Sequence, residues 1–209
     1  MHRTVPDPVI DTFMMLLGEK PYAAISLGEI AERSGLTLGA LREVADGKFA
    51  ILAAFLCRID HMVLDQPDVP SDESRRDRLF DLVMRRLDAL APHKPAIRTL
   101  AQSVRRDGAL ALGLNAMALT SARYVLAAAG IGTDGLRGLA RTQGLVLLMG
   151  RIVPIWLDDA DPDQSRTMAR LDRALARAEG LDDRVGKAKK VLCTLARPLE
   201  RCRYAPARP

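Results

Sequence analysis

Apolar residues recur every three to four positions along most of this chain, and almost nowhere in alternation. Val9, Ile10, Phe13, Leu16 and Leu17 share one helical face, behind Asp7 as N-cap and Pro8 as first helical residue. Ser26 and Glu29 have capping-box spacing ahead of Leu27, Ile30 and Ala31, and Gly35 suits the turn that ends that helix. Thr37 caps a further short helix, which Asp46 and Gly47 end. The spacing then predicts one helix over 48–65, with Phe49, Leu52, Ala53, Leu56, Ile59 and Val63 along one side. "QPDVPSDES", 66–74, reads as a linker. Further helices are expected over 73–91, 96–106, about 109–129 and 136–157. Asp161, Pro162, Asp163 and Gln164 open another, with Met168, Leu171 and Leu175 on one face, and 185–202 reads as a last, basic amphipathic helix. No run pairs alternation with β-branched residues, so the expected fold class is all-α. The organisation expected is a three-helix head over 1–47, a connecting helix over 48–65, a helical bundle over 73–180 and a basic tail over 181–209.

Composition makes this a globular chain with an aliphatic core: 48% hydrophobic, 27% charged, only 4% aromatic. There is no continuous 18-residue apolar run and no signal-peptide pattern at the start, so a cytoplasmic protein is expected. Charge changes the picture more. Residues 184–209 hold eight Lys/Arg against Glu200, whereas 1–47 hold Arg3, Lys20, Arg33 and Arg42 against seven acids, a net −3. The overall +5 therefore belongs to the tail and not to the head.

Candidate chemistry is sparse. Cys57, Cys193 and Cys202, like His2, His61 and His93, lack metal-ligand or disulfide spacing. Gly130, Gly132 and Gly135 match the letters of a dinucleotide fingerprint, but a helix precedes them where a strand is required. Asp159, Asp161 and Asp163 resemble the start of a calcium loop, yet Gln164 stands where glycine is needed and Arg170 where glutamate is needed. Acids before a helix fit these positions better: Asp161 as N-cap, Pro162 at its first position. No nucleophile–base set or phosphate loop is recognisable, and no cofactor or metal is expected.

What remains is the segment "SLGEIAERSGLTLGALREVA", 26–45. Ala31 is small enough to sit inside a helix-turn-helix, Gly35 permits the turn, and Leu36 and Leu41 pin the second helix. Over 9–60 the chain resembles the TetR family of transcriptional regulators, and the likeness continues as architecture to about 180. The resemblance implies a helix-turn-helix head, a connecting fourth helix, and a body that binds a ligand and dimerises. It further implies a homodimeric, operator-binding regulator of the repressor kind, relieved by a small ligand. By the same likeness Thr37 caps the recognition helix and touches phosphate, Gly39 and Leu41 match the family pattern, and Lys48 meets phosphate from the start of the fourth helix. Leu38, Arg42, Glu43, Val44 and Ala45 depart from it. Arg42 can hold a phosphate or a guanine edge, Ala40 a thymine methyl, and Glu43 can accept from cytosine N4. The candidate DNA-binding set is thus Thr37, Leu38, Gly39, Ala40, Arg42, Glu43 and Lys48.

Two further sets follow from the aliphatic helices. Leu82, Val83, Leu87, Leu100, Val104, Leu114 and Met117 are expected to line an apolar ligand pocket. Leu139, Ala140, Gly144, Val146, Ile152 and Val153, with Met168, Leu171 and Leu175, are expected at an isologous dimer interface. A second resemblance, over 153–175, is to ubiquinone-biosynthesis accessory proteins. It implies a TetR-fold lipid- or isoprenoid-quinone-binding protein that no longer binds DNA, with the basic tail as a peripheral membrane contact.

Overall fold

The computed structural model describes residues 4–65 and 74–180, and within them every regular element is helical. The elements are α1 (Asp7–Glu19), α2 (Leu27–Arg33), α3 (Leu38–Val44), α4 (Lys48–Leu64), α5 (Arg75–Leu90), α6 (Lys94–Val104), α7 (Gly108–Ala128), α8 (Gly135–Leu157) and α9 (165–180). Short 3-10 turns lie at Tyr22–Ala24 and Ala91–His93. The expected linker, apart from Ser74, and the expected tail with its helix over 185–202 lie outside the described residues.

Helix ends follow local chemistry, with three departures from the expected pattern. Pro6, not Asp7, is the N-cap of α1; Asp7 is its first residue and pairs with Arg58 at 3.2 Å, whose other nitrogen holds Asp11 at 2.7 Å. Ser26 Oγ accepts from the Glu29 amide at 3.1 Å, but the Glu29 carboxylate leaves the capping box for Lys20, 2.6 Å away. At α9 the expected N-cap Asp161 instead accepts from the Asp163 amide at 3.1 Å and from the Ser165 hydroxyl, and the helix begins at 165. The cap comes from further back. Asp159, buried, accepts from the Thr167 amide at 2.9 Å and hydroxyl at 2.6 Å. The Thr167 hydroxyl, ahead of its amide, holds the Asp159 carboxyl below the usual range.

One continuous hydrophobic core runs from Val5 to Leu175. The head is part of it, because α1 packs chiefly on α6, with Gly18 beside Pro95. Helix α4 buries Ile51, Leu52, Phe55, Ile59 and Val63. The expected face was rotated: Phe49 and Ala53 are exposed and Leu56 half-buried. Within this aliphatic core sits one polar knot. Asp60 on α4 pairs with Arg86 on α5 and accepts from Ser121 Oγ on α7 at 2.5 Å.

Helices α7 and α8 form a hairpin. Gly130 ends α7 at φ 72°, and the Ile131 amide reaches back to the Leu126 carbonyl at 2.8 Å, the bond pattern of a glycine-closed helix end. The glycine-rich segment is therefore an interhelical turn. By length and composition α7 is apolar enough to cross a membrane, with mean hydropathy 1.3 over its best window, yet only 28% of that window is buried. Large apolar side chains accordingly stand outward on it: Leu112 is 75% and Tyr124 61% exposed among the described residues.

Candidate nucleic-acid interface

The helix-turn-helix is built by short-range bonds. Gly35 takes φ 70° and the Leu36 amide donates to the Ala31 carbonyl at 2.8 Å, which turns the chain. Ala31 and Leu41 are buried, as a tight turn and a pinned second helix require. Thr37 Oγ1 accepts from the Ala40 amide at 3.1 Å and so starts α3. With Leu41 inside, α3 turns Leu38, Gly39, Arg42 and Glu43 to solvent, with Thr37 exposed beside them and Ala40 half-buried. Leu38 is 59% exposed, an apolar side chain on a face where packing does not need one.

Electrostatics work against this face. Arg42 is paired with Asp46 one turn on, Arg33 holds Glu19 at 2.8 Å, and Lys20 holds Glu29. The Arg33 hydrogen bond, the largest influence, keeps the Glu19 carboxyl below its ordinary value. Every described cation of the head thus has a carboxylate partner within the head.

Lys48, the expected phosphate contact, is already engaged within the protein. Its Nζ donates to the carbonyls of Tyr22 at 2.8 Å and Ile25 at 2.9 Å, and lies 4.3 Å from the Tyr22 ring centroid. Burial pushes its pKa down, with Asp107 opposing. The ammonium fastens the turn before α2 to the start of α4, and of its three N–H donors one remains. Beside it the head meets the body. Gly113 on α7 admits the Phe49 ring, since a Cβ there would stand 2.6 Å from Cε1, and the Tyr22 amide donates to Ser103 Oγ at 3.2 Å.

The other expected sets fare unevenly. Leu82, Val83, Leu87 and Leu100 are buried in the core, and Val104, Leu114 and Met117 pack half-buried against it. A groove of about 690 Å³ lies elsewhere, between α5 and α9, lined by Asp77, Phe80, Asp81, Met168, Ala169 and Asp172. None of the seven pocket residues borders it. Of the dimer set, Leu139, Ala140 and Gly144 are exposed, and Val146, Val153 and Met168 half-buried. Ile152, Leu171 and Leu175 are spent on the protein's own core. Leu136 and Leu147, 87% and 58% exposed, continue the outward stripe of α8 in their place.

No protein-family model matches the chain, and no curated protein is similar to it. Solved structures are. A TetR transcriptional regulator from Nitrosomonas europaea superposes with TM-score 0.64 at 23% identity, over 83% of this chain and 97% of that one. The fold is the TetR regulator fold. A TetR regulator from Rhodococcus sp. RHA1 gives TM-score 0.60 at 20% identity, over 81% of this chain and 92% of its own. A TetR-family regulator from Streptomyces coelicolor gives 0.54 at 18%, over 89% and 90%. In this TetR-type fold α2 and α3 form the helix-turn-helix, ahead of a helical bundle. The likeness to ubiquinone accessory proteins finds no counterpart among these neighbours.

Proposed function

We propose that this protein is a homodimeric DNA-binding transcriptional regulator, of the repressor kind, relieved by a small apolar ligand. The observation that carries the reading is the helix-turn-helix itself: a glycine turn, a threonine-capped second helix, and Leu38, Gly39, Arg42 and Glu43 exposed on its outward face. On that face Arg42 exchanges Asp46 for a phosphate or guanine edge, Glu43 reads cytosine N4, and Leu38 and Ala40 read thymine methyls. Thr37 and the third Lys48 donor lie at the phosphates. The ligand enters where Val104, Leu114 and Met117 reach the surface of the core. It acts only if it binds the free and DNA-bound forms with different affinity.

A genome-wide footprint with the purified protein tests the reading. A discrete operator is expected, and Arg42→Ala should cost it about 1–3 kcal/mol of binding. Equal binding of wild type and variant at every sequence would remove the operator assignment. A second reading then takes over, favoured by the ion pairing of the head's cations: the same fold carries a lipid or isoprenoid quinone, and the head docks on the body without reading DNA. Under that reading an apolar molecule co-purifies and no footprint forms.

For the dimer, the supporting observation is the outward stripe Leu136, Leu139, Ala140, Gly144 and Leu147 on α8, together with the exposed Leu112 and Tyr124 of α7. An isologous contact brings this stripe against itself. Leu139→Glu together with Leu147→Glu should convert the dimer to a folded monomer in sedimentation. A wild-type monomer at micromolar concentration sinks the assignment.

A further inference from the structure

Helix α9 has three sides. Thr167, Leu171 and Leu175 are buried against the core. Met168, Ala169 and Asp172 border the groove with α5, where Asp172 pairs with Arg76. The third side carries Arg166, Arg170, Arg173 and Arg177, at i, i+4, i+7 and i+11, all four exposed. Small residues, Ala174 and Gly180, flank this row, whereas the helix's acids Asp172 and Glu179 sit on the groove side. Arg173 Nε donates to the Ala169 carbonyl at 2.8 Å, and the Arg173 side chain is exposed. The result is a row of four guanidinium groups over about 16 Å, one per turn, given a rise of 1.5 Å per residue.

We infer that this row is a second polyanion surface, one that docks the phosphodiester backbone of nucleic acid independently of the helix-turn-helix. Three features select that partner. The cations are all arginine, whose planar fork pairs with phosphate oxygens two at a time. Their linear spacing runs alongside phosphates that advance about 3.4 Å per base along a strand. The face holds alanine and no leucine, phenylalanine or tryptophan, so it has nothing to insert into an acyl layer, as a membrane-surface helix does. Charge placement agrees. The head is net −3, while α9 is basic and residues 184–209 continue the same sign. Non-specific affinity depends on phosphate neutralisation, and α9 sets four exposed arginines in one row, whereas the head's described cations are paired with carboxylates.

The test uses the full chain and a fluorescent duplex of random sequence, so that operator recognition is not being measured. Log affinity is followed against log salt. The double variant Arg170→Gln/Arg173→Gln should flatten the slope by about two units, at roughly 0.9 per phosphate contact. Arg166→Gln/Arg177→Gln should do likewise, and Arg170→Lys/Arg173→Lys should keep the slope. Arg42→Gln, on the helix-turn-helix, should change it by no more than one. Glutamine is a good helix former on an exposed face, and helical content measured alongside confirms folding. An unchanged slope in both glutamine doubles overturns the inference. So does binding of the wild type to phosphatidylglycerol vesicles with none to DNA, which assigns the face to a membrane. Failure to find an operator, with the slope behaviour intact, counts against the regulator reading and leaves this surface standing.

Discussion

Asp60→Ala is expected to destabilise the protein by about 1–3 kcal/mol, the cost of leaving a half-buried guanidinium and a buried hydroxyl without their shared acceptor. The Asp60 and Arg86 side chains are 17% and 11% exposed, so water replaces the lost carboxylate only in part. The Ser121 hydroxyl loses its acceptor in the same step, and Ser121 is itself buried. The three residues come from α4, α5 and α7, so the damage falls where α4 meets the body. Removing the ion pair as a whole is a different experiment. Asp60→Asn with Arg86→Met removes both charges while keeping side chains of similar size and an acceptor for Ser121, and should recover most of the loss. Equilibrium urea unfolding of the single and double variants checks both. A single-variant loss below about 1 kcal/mol would mean that the pair behaves as a solvated surface bridge.

The contrast between that knot and the helix-turn-helix explains what the sequence made legible. The turn at Gly35, the Thr37 cap and the buried Ala31 are all fixed by partners within five residues, and local spacing predicted each of them. Asp60, Arg86 and Ser121 lie 26 and 61 residues apart, and nothing local marks them as partners. Lys48 shows the same limit within the candidate site. The resemblance marks it as a phosphate contact, while the carbonyls that also hold it belong to residues 23 and 26 positions earlier. The rotated face of α4 has a tertiary cause too: Phe49 finds its seat at Gly113, on α7.

Helices apolar on two sides defeated the pattern in another way. In α8 both Leu139 and Ile152 keep helical spacing, yet one faces solvent and the other the core. Periodicity gives the stripe and not its partner. The cap of α9 was misplaced because several acids precede that helix, and an Asx-type turn at Asp161 delayed its start to 165. The arginine row of α9 is local by contrast, its helical spacing at 166, 170, 173 and 177 being readable in the sequence.

Gly138→Ala should lower stability by about 1–3 kcal/mol, although propensity alone favours alanine inside a helix by about 1 kcal/mol. Gly138 is buried in the first turn of α8, under the chain that leaves the hairpin turn. An added Cβ would lie 1.9 Å from the Thr133 carbonyl carbon and 2.0 Å from its oxygen. Both are backbone atoms, so no rotamer change relieves the overlap. The chain must move, and it is held on both sides: Gly130 and Gly135 take φ 72° and 64°, and the Arg78 guanidinium lies against Gly130. Moving it also disturbs the buried Thr142 hydroxyl, which donates to the Gly138 carbonyl at 2.8 Å. Gly150→Ala is the matched control, because α8 has open space there and no atom lies within 4 Å of the new methyl group. It should gain about 0.5–1 kcal/mol, the usual benefit of replacing a mid-helix glycine. Thermal melts of the two variants should therefore move in opposite directions. A Gly138→Ala protein that melts no lower than wild type would show that the 129–135 turn does not cross the start of α8.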